Sequence, residues 1–191
     1  MTDLTLEARI DRIEAHIAIQ QLAARYARAV DSRDIDALSR LYTPDIDFSR
    51  YGFGKGPAGA AAFFDGILTR FYRSMHQLCG HVIDITDADH ATGTVYCRVE
   101  HEDGGDWIIQ LMTYFDRYRR VDGVWLIDDR RPNWLYTGDA RDLPQDVNFV
   151  RWPSRPDAEK RFAPALPHIW PSWNDYWARH QDEVAAHTRL P

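Results

Sequence analysis

The apolar positions of the chain change their period once they leave the N-terminal third. Residues 5 to 31 read as a helix: Leu6, Ile10, Ile13 and Ile17 recur at three and four, and Leu22, Tyr26 and Val30 recur at four. The five-residue step from Ile17 to Leu22 shifts the stripe and predicts a kink. Ser32-Arg33-Asp34 supplies capping residues, and Ile35, Leu38, Leu41 and Tyr42 give a second short helix its apolar face before Pro44 closes it. Ile46-Asp47-Phe48 reads as a short strand. The loop GFGKGPAG over 52–59 lacks the Gly-Lys-Ser/Thr ending and the parallel βαβ setting of a phosphate loop. Pro57 instead suits the first turn of a third helix, Ala58 to about Tyr72.

From residue 75 to residue 136 the period is two. Four stretches alternate, Met75–Thr86, Ala91–His101, Trp107–Arg120 and Val124–Tyr136, and Asp122-Gly123 between the last two is a hairpin signal. Three helices followed by a long antiparallel sheet predict an α+β fold with the helices packed on one sheet face. Residues 137–191 differ in character, holding seven of the ten prolines and four of the seven tryptophans, Trp152, Trp170, Trp173 and Trp177. The prolines oppose regular structure, while the rings demand a surface to pack on. The expected organisation is a domain over 1–136 and an irregular extension over 137–191, closing with a helix from Ser172 to about His187. The extension should pack on the domain or on a neighbouring subunit.

Composition narrows the class. A chain of 191 residues, 45% hydrophobic and 27% charged, suits one domain with a real core. A net charge of −6 argues against nucleic acid or an anionic membrane as the main partner. No apolar run reaches the roughly 18–20 residues of a membrane span, and the N-terminus lacks a signal pattern, so the expected compartment is the cytoplasm. Cys79 and Cys97 are too few for a disulfide scaffold and sit in strand-like stretches, where they are expected as buried thiols.

Strand parity selects the candidate chemistry. Val95, Cys97, Val99 and His101 share one face, so His101 points toward the core or a cavity. His76 shares a face with Leu78 and Val82. His81 lies on the opposite face with Cys79, Ile83 and Ile85, unless Gly80 bulges the strand and resets the parity. No His-Glu-x-x-His or Cys-x-x-Cys is present, and no metal is expected. An inward imidazole is either a core residue satisfied by a backbone carbonyl or a functional group. Asp31 ends a helix whose C-terminus disfavours a carboxylate, which makes it either a local cap or a partner for another side chain. Spacing leaves both pairs of readings open. Arg130 and Arg131 could hold an acidic group, with surface pairing to Asp128 or Asp129 the expected role.

The stretch from Ile19 through Asp31 to Leu38, followed by Leu41-Tyr-Thr-Pro-Asp-Ile-Asp-Phe48, resembles the opening of the SnoaL-like and scytalone dehydratase-like families of the nuclear transport factor-like superfamily. The likeness continues through Met75-His76-Gln-Leu-Cys-Gly80, Gly93-Thr-Val-Tyr-Cys-Arg-Val-Glu-His101 and Tyr118-Arg-Arg-Val-Asp-Gly-Val-Trp125, covering roughly residues 8 to 136. It implies a cone-shaped α+β fold of about three N-terminal helices on a curved antiparallel sheet. It also implies that Asp31 orients His76, with His101 a second catalytic histidine; dehydrochlorinases of this superfamily resemble the chain at Asp31 and His76. Where scytalone dehydratase carries two tyrosines, this chain has Val30 and Phe48. Where that enzyme has serine and asparagine, it has about Met112 and Tyr114, which argues against scytalone dehydratase activity itself.

The implied function is a cofactor-independent lyase of dehydratase type, or an isomerase, acting on a small apolar cyclic molecule. Catalysis falls to Asp31, His76 and His101, and substrate contact to Tyr26, Phe48, Tyr51, Met112 and Tyr114. A polyketide-cyclase-like enzyme and a non-catalytic binding or assembly subunit share the fold. A homo-oligomer, dimer or trimer, is expected.

Overall fold

The computed structural model describes residues 4–181 and 184. Helix α1 (Leu6–Asp31) is followed by α2 (Ile35–Ser39) and α3 (Gly56–Leu68). Four strands, β1 (Ser74–Ile85), β2 (His90–Asp103), β3 (Asp106–Val121) and β4 (Val124–Asp139), then form one curved antiparallel sheet in the order β1-β2-β3-β4. The chain continues through short helices α4 (Ala158–Arg161) and α5 (Pro171–Ala178). The helix expected to about His187 thus ends at Ala178, and the end of that expectation lies outside the described residues. Among the described residues no helix is long and apolar enough to cross a membrane.

Local chemistry fixes the elements. Thr5 caps α1 by accepting from the Ala8 amide at 3.2 Å, and Asp34 caps α2 through the Ala37 amide at 2.9 Å. Asp122 and Gly123 both take positive φ, 50° and 78°, which gives the two-residue turn whose twist matches the flanking strands. The third helix begins at Gly56 with Pro57 in its first turn and ends at Leu68, short of Tyr72. The residues beyond it join the sheet edge instead: the Tyr72 amide donates to Glu102 O and the Glu102 amide to Arg73 O. Strand-like pairing at Ile46–Phe48 reduces to a single bridge between Asp47 and Lys55.

Helix α1 corrects the reading of its stripe. It runs unbroken, and Leu6, Ile10, Ile13 and Ile17 are exposed, whereas Ala15, Ile19, Leu22, Ala23, Tyr26 and Val30 face the core. At about 100° per residue, the five-residue step rotates the apolar direction by about 140° rather than bending the axis. The helix therefore has two apolar faces, and only the second meets the sheet. There Val95, Val99, Tyr118 and Ile127 pack against it, together with Phe64 from α3.

Strand β1 carries the other correction. Its register against β2 shifts between Leu78, opposite Cys97, and Gly80, opposite Tyr96, so Cys79 is the extra residue of a bulge. The thiol of Cys79 is consequently exposed, not buried; Cys97 is buried as expected. The bulge resets the parity, placing His76 and His81 on the same inward face. On the neighbouring strand, a Cβ on Gly93, opposite Ile83, would lie 2.8 Å from a Tyr118 ring carbon and 3.0 Å from His81 Nε2, so only glycine leaves room for that pair.

The extension returns over the open end of the sheet. Thr137 bridges Val150 and Trp134 bridges Pro164. The indole N–H of Trp152 donates to Asp103 at 2.8 Å, beside a second small core of Ile108, Val150, Trp152 and Ala158.

Candidate active site

The end of α1 is stapled to the start of β1 by Arg33, a residue at φ 59°. Its guanidinium donates to Val30 O at 2.7 Å, Ser74 Oγ at 2.7 Å and Phe71 O at 2.9 Å. This brings Asp31 alongside His76. The Asp31 carboxylate accepts from the His76 backbone N–H at 2.8 Å through one oxygen and meets His76 Nδ1 at 2.7 Å through the other. Burial pushes the Asp31 carboxyl up, but the two bonds from His76 outweigh it and hold the group below its ordinary value. A carboxylate on Nδ1 fixes the proton there and leaves Nε2 as the bare, basic nitrogen. His76 lines a cavity of about 450 Å³.

His101, on the neighbouring strand, lies 6.2 Å from His76 between ring centres and edge-on to it. It has no carboxylate partner. Its Nε2 pairs with the Gln110 amide oxygen at 3.2 Å, and the Gln110 amide donates to Thr137 Oγ1 at 3.2 Å. One ring face stacks on Phe71 at 4.1 Å, and Trp152 is stacked at 6.1 Å. His101 Nδ1 is buried without a partner. Burial, reinforced by the nearby His76, pushes the His101 pKa down to about 4, so the ring is neutral at neutral pH.

Tyr26 stands edge-on to His76 at 6.0 Å and to Tyr114 at 5.8 Å. The Arg130 guanidinium lies over both phenol rings, at 4.2 Å from Tyr26 and 4.5 Å from Tyr114. Contrary to the surface role expected of it, Arg130 is buried and paired with Asp116 through bonds of 2.8 and 2.6 Å. Arg131 alone takes the surface role, at 2.7 Å from Asp129. Asp116 also accepts from the Tyr118 hydroxyl at 2.6 Å, which meets His81 Nε2 at 3.0 Å. Burial raises the Tyr26 and Tyr114 phenols above their ordinary range, against the pull of Arg130.

Phe48, Met112 and Tyr114 are buried and line the cavity; Tyr51 lines it from the rim, 45% exposed and tilted on Phe63 at 5.0 Å. Of the expected residues, Tyr26, Phe48, Tyr51, His76, His101, Met112 and Tyr114 line one cavity, and Asp31 is joined to it through His76. Arg33, Gln110, Asp116 and Trp152 belong to the same constellation and were not anticipated. Among the described residues no group of three or more His, Cys, Asp or Glu side chains is placed to hold a metal.

Geometry thus defines a cone-shaped α+β protein whose cavity wall carries a carboxylate-oriented histidine. The SnoaL-like domain profile matches residues 11–131, and the chain belongs to this family. It is 29% identical over 121 residues to hexachlorocyclohexane dehydrochlorinase 1 of Sphingobium indicum, covering 61% of this chain and 79% of that protein. Its fold matches the structure of hexachlorocyclohexane dehydrochlorinase LinA-type3 from Novosphingobium barchaimii with a TM-score of 0.64 at 24% identity, covering 71% of this chain and 96% of that one. A scytalone dehydratase-like protein from Novosphingobium aromaticivorans matches with a TM-score of 0.60 at 21% identity, over 71% and 93% of the two chains.

Proposed function

We propose that the protein is a cofactor-independent lyase, of dehydratase or dehydrohalogenase type, or an isomerase, acting on a small, largely apolar cyclic molecule. The observation that carries this reading is the Asp31–His76 pair, with both carboxylate oxygens engaged and His76 on the cavity wall. His76 Nε2 takes a proton from a ring carbon. The released electron pair forms a double bond as a neighbouring chloride or hydroxide leaves, or delocalises into a carbonyl as an enolate. The His76 imidazolium, stabilised by Asp31, then returns its proton to hydroxide in a dehydration, to another carbon in an isomerisation, or to solvent water after chloride has left as the anion. His101 serves as a neutral hydrogen-bonding group, because burial suppresses its protonation. Tyr26, carrying the Arg130 cation on its ring, is placed to stabilise negative charge developing beside His76.

The open cavity favours an enzyme over an assembly subunit, which would fill that space with side chains. Engagement of Asp31 by His76 disfavours a cyclase in which a free carboxylate acts alone. The relatives' names motivate two probes: chloride release from γ-hexachlorocyclohexane, and deuterium incorporation next to the carbonyl of cyclohexanone and 2-tetralone in heavy water, followed by NMR. Wild-type protein should catalyse at least one, and His76→Gln should abolish it. Equal rates in both proteins would sink the role of His76. We further propose a homo-oligomer, dimer or trimer, covering the exposed aliphatic stripe of α1 and the outer sheet residues Met75, Val82 and Tyr96.

A further inference from the structure

The charge around the cavity is inverted relative to the chain. Although the protein carries a net charge of −6, five arginines line the cavity, Arg50, Arg70, Arg130, Arg155 and Arg161, against two aspartates, Asp47 and Asp129. Both carboxylates are already engaged by cations, Asp129 by Arg131 at 2.7 Å and Asp47 by Lys55 at 3.4 Å. Two of the arginines are equally committed. Arg130 is held by Asp116, and Arg155 is paired with Asp103 at 2.9 Å while lying 4.6 Å over Trp152. Arg50 reaches Asp129 at 3.6 Å.

Arg70 and Arg161 differ from these. Among the described residues Arg70 has no ion-pair partner. It nevertheless sits beside a second cation, because Arg155 Nη2 reaches its carbonyl at 3.4 Å. Among the described residues Arg161 has only an exposed contact to Asp157, one helical turn away at 3.4 Å, of the kind that contributes little. Uncompensated guanidiniums at the lip of an apolar cavity attract an anion and bind a planar carboxylate through paired hydrogen bonds. Arg161 also precedes Phe162, whose ring stacks on Trp152 at 5.3 Å and meets Trp134 edge-on at 5.4 Å. An aromatic wall therefore adjoins the charged lip. Trp152, Phe162 and Arg161 all lie outside residues 11–131, the part matched to the family, whereas Arg70 lies within it, so the extension completes the lip.

We propose that Arg70 and Arg161 make the cavity selective for a cyclic compound bearing a carboxylate, with its ring inside toward His76 and its anionic group at the extension lip. The inference rests on the ligand-binding reading of the cavity given above. It is tested with the full-length protein by titration calorimetry of a matched pair, 2-naphthol and 6-hydroxy-2-naphthoate. At low ionic strength the naphthoate should bind about tenfold more tightly than the naphthol. Added salt should shrink that ratio. The double variant R70Q/R161Q should bring it near one, and R70K/R161K, which keeps both charges, should retain most of it. Equal affinities in wild-type protein, or a preference that survives R70Q/R161Q, would overturn the anion assignment while leaving the cavity reading intact. Failure of both compounds to bind would overturn the cavity reading together with it.

Discussion

Replacing His101 with phenylalanine should flatten the acid side of the stability profile. His101 is 6% exposed, and its pKa falls from an ordinary 6.5 to about 4 in the fold, chiefly because burial penalises the charged ring. A base with a depressed folded pKa binds its proton more readily when the chain unfolds. Stability is therefore complete above the unfolded value and declines as pH falls from about 6.5 toward about 4. The two pKa values give a loss of about 2 kcal/mol at about pH 5, approaching about 3 kcal/mol once pH passes the folded value. Phenylalanine keeps the ring contacts with Phe71 and Trp152 but does not titrate. It leaves the Gln110 oxygen without its donor, a cost of about 1–2 kcal/mol that does not vary with pH. Urea unfolding of both proteins at about pH 8 and about pH 5 isolates the effect. His81, whose pKa burial also lowers, and Asp31 contribute to both proteins and cancel in the comparison. Wild-type protein should lose about 2 kcal/mol more than H101F between the two conditions. Equal losses would refute a buried, neutral His101.

Three further outcomes follow from the same contacts. Asp31→Asn offers one acceptor and one donor where His76 presents two N–H groups, so His76 should shift to the Nε2–H tautomer; nitrogen-detected NMR reads the tautomer, and turnover should fall about 10³–10⁴-fold. Arg130→Met leaves the fully buried Asp116 charge without its bidentate partner and should cost about 3–5 kcal/mol in chemical denaturation, whereas Arg131→Met, on the surface, should cost less than about 1 kcal/mol. Ile13→Glu, on the α1 stripe at 59% exposure, should leave the melting temperature of the fold nearly unchanged while lowering the molar mass measured by light scattering.

Much of this arrangement is legible in parity. Alternation placed His101 inward with Val95, Cys97 and Val99, and the same rule applied to β3 groups Gln110 and Asp116 with Ile108, Met112, Tyr114 and Tyr118, all of them buried. Two polar residues on an otherwise apolar face were thus a readable signal for the His101 and Arg130 partners. The Cys79 bulge was foreseen only as a condition, because a glycine permits a bulge without requiring one. The α1 stripe misled for a physical reason: periodicity identifies an apolar face but not which surface covers it, and Ala15 on the true core side carries little hydrophobic signal. Contacts set by chain reversal, such as Arg33 to Phe71 and Trp152 to Asp103, join residues far apart in sequence and leave no local pattern.

Under the proposed chemistry, the two histidines divide their work because of what lies against each ring. They are 6.2 Å apart, and the nearby His76 adds to the burial that keeps His101 neutral. Of the two rings, Asp31 touches that of His76, which gives its charged state a partner. His101 has Phe71 stacked on it and Trp152 alongside both rings, and among the described residues its only side-chain hydrogen bond is to a neutral amide. The asymmetry leaves His76 as the ring with a carboxylate partner on one nitrogen and, among the described residues, the other nitrogen unpaired for substrate. Trp152 comes from the extension, and so does part of the desolvation that keeps His101 neutral. Trp152→Ala would admit water to that face, raise the His101 pKa toward 6.5 and allow it to compete for the proton. The acid limb of the turnover profile should then move upward in pH relative to wild type. The extension thereby acts on the second histidine through the Trp152 ring, as well as on the lip of the cavity through Arg161.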